Sequence, residues 1–224
     1  MTLKVSNLSC GFQNIPILSN INFDCENGEV VVLKGRNGVG KTTFLRCLAG
    51  LSSHLTGNFV FAEDSIAYLG HLNGINGNLT VIENLFFWKT VYGLDKVEDT
   101  INSLNLTDIL YDRISSLSVG QQRLLSFARI QLTGSKYWIL DEPMTSLDEK
   151  NVTIFISLLE DHLKNNGSAI IATHQDIDLP LTKAKRVNLD TFVVSAKNRV
   201  SFAELENILS VSYTHLRAHE TKAN

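Results

Sequence analysis

The stretch Val30-Val31-Val32-Leu33-Lys34-Gly35-Arg36-Asn37-Gly38-Val39-Gly40-Lys41-Thr42-Thr43 changes character twice over a short span. Val30 to Leu33 is an unbroken apolar, mostly β-branched run, the composition of a strand buried on both faces. Gly35, Gly38 and Gly40 then let the backbone curl tightly. Phe44, Leu45, Leu48 and Leu51 recur at helical spacing, with Gly50 as the expected stop. Strand, glycine-rich turn and helix form the setting in which GxxxxGK[ST], satisfied from Gly35 to Thr42, builds a phosphate cradle. The backbone N–H groups of Gly35, Arg36, Asn37, Gly38, Val39 and Gly40 are expected to face one concavity. Lys41, Thr42 and Thr43 join them at the positive end of the helix dipole. The spacing gives Lys41 to the β- and γ-phosphates and the Thr42 hydroxyl to Mg²⁺.

Outward from this loop, Tyr137 to Leu140 and Ala169 to Ala172 are two more short apolar runs. Val152, Phe155, Leu158 and Leu159 lie between them at helical spacing. Strand, helix, strand implies a parallel sheet and an α/β class. The first run ends in Asp141-Glu142-Pro143, which places two acids at the carboxyl edge of the sheet, where open α/β sheets bind ligands. Asp141 fits a group that holds Mg²⁺, directly or through water, and Glu142 one that orients or deprotonates a water at the γ-phosphate. Between these regions, residues 73–133 read as helical. Thr80 and Glu83 form a capping-box pattern ahead of Val81, Ile82, Leu85 and Phe86, and the segment is expected to pack on the sheet as a lobe.

Composition narrows the partners. The 224 residues are 44% hydrophobic and 19% charged, enough for one sizeable core. A net charge of −3 offers no broad field for polyanions, so nucleic acid is not an expected partner. Cys10, Cys25 and Cys47 are widely spaced, without a CxxC pair, and read as reduced structural thiols. Met1 to Leu8 lacks the charged start and apolar run of a secretory signal, and no apolar stretch approaches the roughly 20 residues of a membrane span. A cytoplasmic protein, reaching membranes through partners, is the expectation.

Leu117-Ser118-Val119-Gly120-Gln121-Gln122-Arg123 is similar to the LSGGQ signature of ABC ATPases. Ser146-Leu147-Asp148 and His174 follow in that family's order. Over about residues 2–209 the chain thus resembles an ABC ATPase cassette: a mainly parallel core sheet, an N-terminal antiparallel β portion and a helical signature lobe. The resemblance implies ATP and Mg²⁺ as ligands and turnover at Glu142, with His174 near the γ-phosphate. It also implies a head-to-tail dimer of two copies, in which Ser118, Gly120 and Gln121 act on the nucleotide held by the other copy. Ser118 read alone is an ordinary helix cap, and Asp148 can cap a helix as well as contact the second copy. Phe12 falls where the family stacks an aromatic on adenine, although core packing is the alternative.

Two positions depart from the pattern. Val119 replaces the first signature glycine, and His71 stands in the slot where most relatives carry a glutamine that senses the metal and relays closure to the membrane subunits. Leu69-Gly70-His71, the run Leu79 to Trp88, Asp141-Glu142-Pro143 and Thr173-His174-Gln175 together resemble the haem exporter ATP-binding subunits of cytochrome c maturation. That resemblance implies integral membrane subunits and a haem-handling complex as partners, at the cytoplasmic face of a bacterial inner membrane. Other small-molecule cargo, a soluble ABC ATPase acting on ribosomes or nucleic acid, and a module that closes on ATP without turnover are the rival readings. The expected ATPase domain is 1–210. Residues 211–224 resemble the translation of a transposase adapter from short-read sequencing libraries, so His215 and His219 are expected to have no function.

Overall fold

The computed structural model describes residues 3–12, 15–62, 65–174 and 184–195. Gln175 and the 211–224 tail lie outside the described residues. The strands and helices run β1 (Leu3–Phe12), β2 (Ile15–Cys25), β3 (Val30–Lys34), α1 (Lys41–Leu48), β4 (Thr56–Phe61), β5 (Ile66–Leu69), α2 (Val81–Val91), α3 (Glu98–Ser103), α4 (Val119–Leu132), β6 (Tyr137–Asp141), α5 (Glu149–Lys164), β7 (Ser168–Ala172) and β8 (Ala184–Asn188). A 3-10 turn, Leu189–Phe192, follows β8.

Two sheets form. β2, β1 and β4 make an antiparallel sheet, and β5-β6-β7-β3-β8 make a parallel one in that order. The side chains of the parallel sheet divide by the two-residue period of a strand. Val31, Leu33, Ile139, Ile170 and Ala172 join a core with β1, β2 and α1. Val30, Val32, Trp138, Leu140, Ala169 and Ile171 join the opposite core with residues of α2 to α5. Burial on both faces explains why these strands are continuously apolar, each fully buried Leu or Ile contributing about 1.5–3 kcal/mol. Cys10, Cys25 and Cys47 are buried free thiols. Burial is the leading cause that pushes Cys10 and Cys25 up to about 12 and Cys47 to about 11, so they remain protonated and unreactive at neutral pH.

Helix α1 ends as a glycine stop should. Gly50 has φ 69°, Gly50 N–H donates to Cys47 O at 3.0 Å and Leu51 N–H to Arg46 O at 2.8 Å, the paired reversal that satisfies the last carbonyls. Leu51, which falls at helical spacing, lies beyond this stop: the reversal turns it outward, and its side chain is exposed. Between β5 and β6 the chain carries α2, α3 and α4. Thr80 caps α2 reciprocally with Glu83, through Thr80 N–H to Glu83 Oε2 at 2.8 Å and Glu83 N–H to Thr80 Oγ1 at 3.3 Å. No described helix is long and apolar enough to cross a membrane.

Candidate active site

All five parallel strands deliver their carboxyl ends to one edge. β3 leads into the glycine loop, β5 toward His71, β6 into Asp141 and Glu142, β7 toward His174, and β8 toward Asp190. A cleft of about 470 Å³ opens there, lined by the loop residues Asn37, Gly38 and Gly40, by Lys41, Thr42 and Thr43, and by His71, Asp141, Glu142 and His174. Ile17 and Thr145 complete its wall, neither of which the sequence marks.

The loop is shaped for anions. Gly40, with φ 112°, opens α1 in the left-handed region and supplies no side-chain cap. A Cβ at this position would also meet Ile17 Cγ2 at 3.0 Å. The first turn of α1 carries no acid, and its first main-chain bond is Phe44 N–H to Gly40 O at 2.9 Å. The N–H groups of Lys41, Thr42 and Thr43 are therefore donors for a ligand at the positive helix end. The expectation that every loop N–H faces the concavity is corrected, because Arg36 N–H goes to Asp190 Oδ2 and Val39 N–H to Arg36 O. Lys41 Nζ donates to Gly35 O at 3.0 Å and sits 3.9 Å from Glu142 Oε1, buried within the cleft. Asp190 holds the outer side of the loop: its Oδ2 accepts from Arg36 N–H at 3.2 Å, and its Oδ1 lies 3.4 Å from Arg36 Nε. Val39 is buried in the core beneath the loop.

The carboxylates divide the floor between them. Thr42 Oγ1 donates to Asp141 Oδ2 at 2.7 Å, and His71 Nε2 lies 3.7 Å from the same oxygen. Asp141 is almost wholly buried, and its Oδ1 has no hydrogen-bond partner. A buried carboxylate oxygen without a donor is costly. It suits a hydrated divalent cation, so Thr42 and Asp141 fit Mg²⁺, with the His71 imidazole beside them. Glu142 turns out of the strand at φ 48°, a left-handed conformation that costs a non-glycine residue about 1–2 kcal/mol. Its N–H donates to Ala172 O at 2.9 Å, and its Oε2 lies 3.0 Å from His174 Nδ1. The turn points the carboxylate into the cleft beside the imidazole.

The remaining sequence candidates do not line this cleft. Ser118 and Gln121 form a reciprocal cap on α4, with Ser118 N–H to Gln121 Oε1 at 2.9 Å and Gln121 N–H to Ser118 Oγ at 3.2 Å. Val119 at the start of α4 is exposed. A Cβ on Gly120 would meet Asn151 Nδ2 at 3.1 Å, so that glycine packs α4 against the start of α5. Asp148 caps α5, its Oδ1 accepting from Asn151 N–H at 2.8 Å. Phe12 is 68% exposed at the end of β1, which excludes the core-packing alternative.

The model of the ABC transporter family matches residues 18–145. The chain is 39% identical over 189 residues to the cytochrome c biogenesis ATP-binding export protein CcmA of Cereibacter sphaeroides, covering 84% of this chain and 89% of the relative. To the protein of that name from Roseobacter denitrificans it is 43% identical over 179 residues, covering 80% and 87%. The fold is similar to that of an ABC transporter ATP-binding protein from Pyrococcus furiosus, with a TM-score of 0.76 at 23% identity over 87% of this chain and 100% of that one. Site geometry, family match and relatives agree: the chain belongs to the ABC transporter family as an ATP-binding, ATP-hydrolysing subunit, among its cytochrome c biogenesis export proteins.

Proposed function

We propose that the cleft binds MgATP, that Glu142 drives its hydrolysis, and that two copies of the chain close head to tail over two nucleotides to move haem-handling membrane subunits. The observation that carries the chemistry is convergence. Lys41, Thr42, Asp141, Glu142 and His174 arrive from the ends of three different strands and meet in one cleft.

In this reading the N–H groups of Asn37, Gly38, Gly40, Lys41, Thr42 and Thr43, all from residues that line the cleft, hold the phosphates, while those of Arg36 and Val39 stay on Asp190 and Arg36 O. Lys41 Nζ exchanges its loop carbonyls for β- and γ-phosphate oxygens. Thr42 and Asp141 hold Mg²⁺, with His71 close enough to bind it or its water. Bound there, the metal neutralises charge developing on the phosphates. Glu142 orients a water in line with the γ-phosphate and accepts its proton, while His174 fixes the carboxylate. Phe12 is exposed and able to stack on adenine. Ser118, Gly120 and Gln121, absent from the cleft of their own chain, present a helix start to the nucleotide of the other copy, and Asp148 contacts that copy beside them.

The haem cargo follows from the resemblance and from the relatives' naming for cytochrome c biogenesis export. With it comes a place at the cytoplasmic face of the inner membrane. Residues 1–210 form the ATPase domain with 73–133 as its lobe, and 211–224 are adapter-derived, which codons departing from the adapter in the underlying read would refute. Replacing Glu142 by Gln should lower turnover by about 10²–10⁴-fold with nucleotide affinity kept. Equal rates would remove the assigned base. Recovery of the chain from membranes with a haem-handling complex supports the cargo, and recovery on ribosomes overturns it.

A further inference from the structure

The signature heptapeptide ends on Arg123, a residue to which phosphate chemistry gives no task. Its side chain is buried on the inner face of α4, with Phe127 one turn on. All five of its N–H donors find acceptors. Nε reaches Pro143 O at 3.1 Å; Nη1 reaches Gly70 O at 2.9 Å and Asn73 Oδ1 at 3.1 Å; Nη2 reaches Asp141 O at 3.2 Å and Glu142 O at 3.0 Å.

Three consecutive carbonyls can meet one guanidinium only where the chain turns sharply, and the turn here is Glu142 at φ 48°. Two of the other acceptors flank His71, on the loop leaving β5. No carboxylate oxygen is among the acceptors. Burial lowers the guanidinium to about 10, so it is still a cation at neutral pH. A buried cation held only by carbonyl and amide dipoles contributes little net stability. It does specify geometry, because a planar fork of five donors fixes the relative positions of everything it touches.

We propose that Arg123 is a positioning residue for hydrolysis: it holds Glu142 in its left-handed conformation, aims that carboxylate, and ties the His71 loop and the signature helix to the same turn. It acts through Glu142 and does not itself line the cleft. The proposal rests on the assignment of Glu142 as base.

The test uses the full chain with its membrane subunits, comparing Arg123→Lys, Glu142→Gln and the double variant. The readouts are kcat, KM and the affinity for a fluorescent ATP analogue with Mg²⁺. A lysine offers three donors from one point and cannot span these acceptors. Arg123→Lys should lower kcat by about 10²-fold while leaving KM and analogue affinity within about threefold. In the Glu142→Gln background the same change should cost under about twofold. A kcat near the parent's, a parallel fall in affinity, or an equal loss in both backgrounds overturns the proposal. Glu142→Gln at the parent rate would instead remove the base itself, a separate outcome. Should Arg123→Lys not fold, Asn73→Ala decides. A kcat loss of about threefold or more at constant KM supports the positioning role, and a parent-like kcat overturns it.

Discussion

At the other end of β6 and β7 from the cleft, His162 lies flat on Trp138, with ring centroids 3.8 Å apart and planes 9° from parallel. Its Nε2 is 3.3 Å from Ser168 O. Burial lowers this imidazole to about 4 from its ordinary 6.5, outweighing the hydrogen bonds that favour the cation. The unfolded chain therefore takes up a proton that the folded chain refuses, and stability falls as pH drops from about 6.5 toward 4. At pH 5 the loss is about 2 kcal/mol relative to pH 7.5. His162→Phe keeps a ring on Trp138 and removes the proton. Urea unfolding at the two pH values should show the variant less acid-sensitive than the parent by about that amount. Equal slopes would show that His162 does not control acid stability. None of this was legible beforehand: a histidine among polar neighbours in the last turn of a helix gives no sign that an indole covers it.

At the scale of elements, the local patterns carried far. The Thr80 and Glu83 spacing announced a cap that the structure forms, and Gly50 announced a stop that it makes. Thr80→Ala should cost about 1 kcal/mol of stability, read as a lower urea midpoint at unchanged slope. A midpoint equal to the parent's would mean that packing of α2 alone sustains its first turn. Leu51 shows where pattern fails, since helical periodicity cannot tell that the left-handed residue before it has already reversed the chain. Arg123 carries a partial signal: a charge among the mostly apolar buried residues of α4 must find hydrogen-bond acceptors, although only the fold reveals which. Ile17 and Thr145 left no such mark, because a cleft wall assembled from a β2 side chain and a turn has no periodicity to read.

For the whole molecule, the separations decide what a sequence can show. Lys41, Thr42, Asp141 and Glu142 are recognisable because each sits in a short strand-and-turn context, whereas the clasp of Asp190 on Arg36 joins residues 154 apart and carries no local signature. Within one chain the signature residues cap α4 and pack it against α5, so the role proposed for them at a nucleotide is a matter of a second copy. With MgATP, and with the membrane subunits present, the Glu142→Gln chain should sediment with its copies paired, and Ser118→Arg should prevent the pairing by placing a bulky cation at the covering helix start. A Glu142→Gln chain that stays unpaired would end the sandwich reading. The protein has only two tryptophans, and the imidazole lying on one of them has an optical consequence. Trp138 sits in the strand that ends at the carboxylates, with His162 stacked on it, while Trp88 reports from α2, stacked on Tyr92. Intrinsic fluorescence can therefore be split, by single Phe replacements, into one channel for the sheet and another for the helices, so the order in which these layers loosen can be followed without a dye.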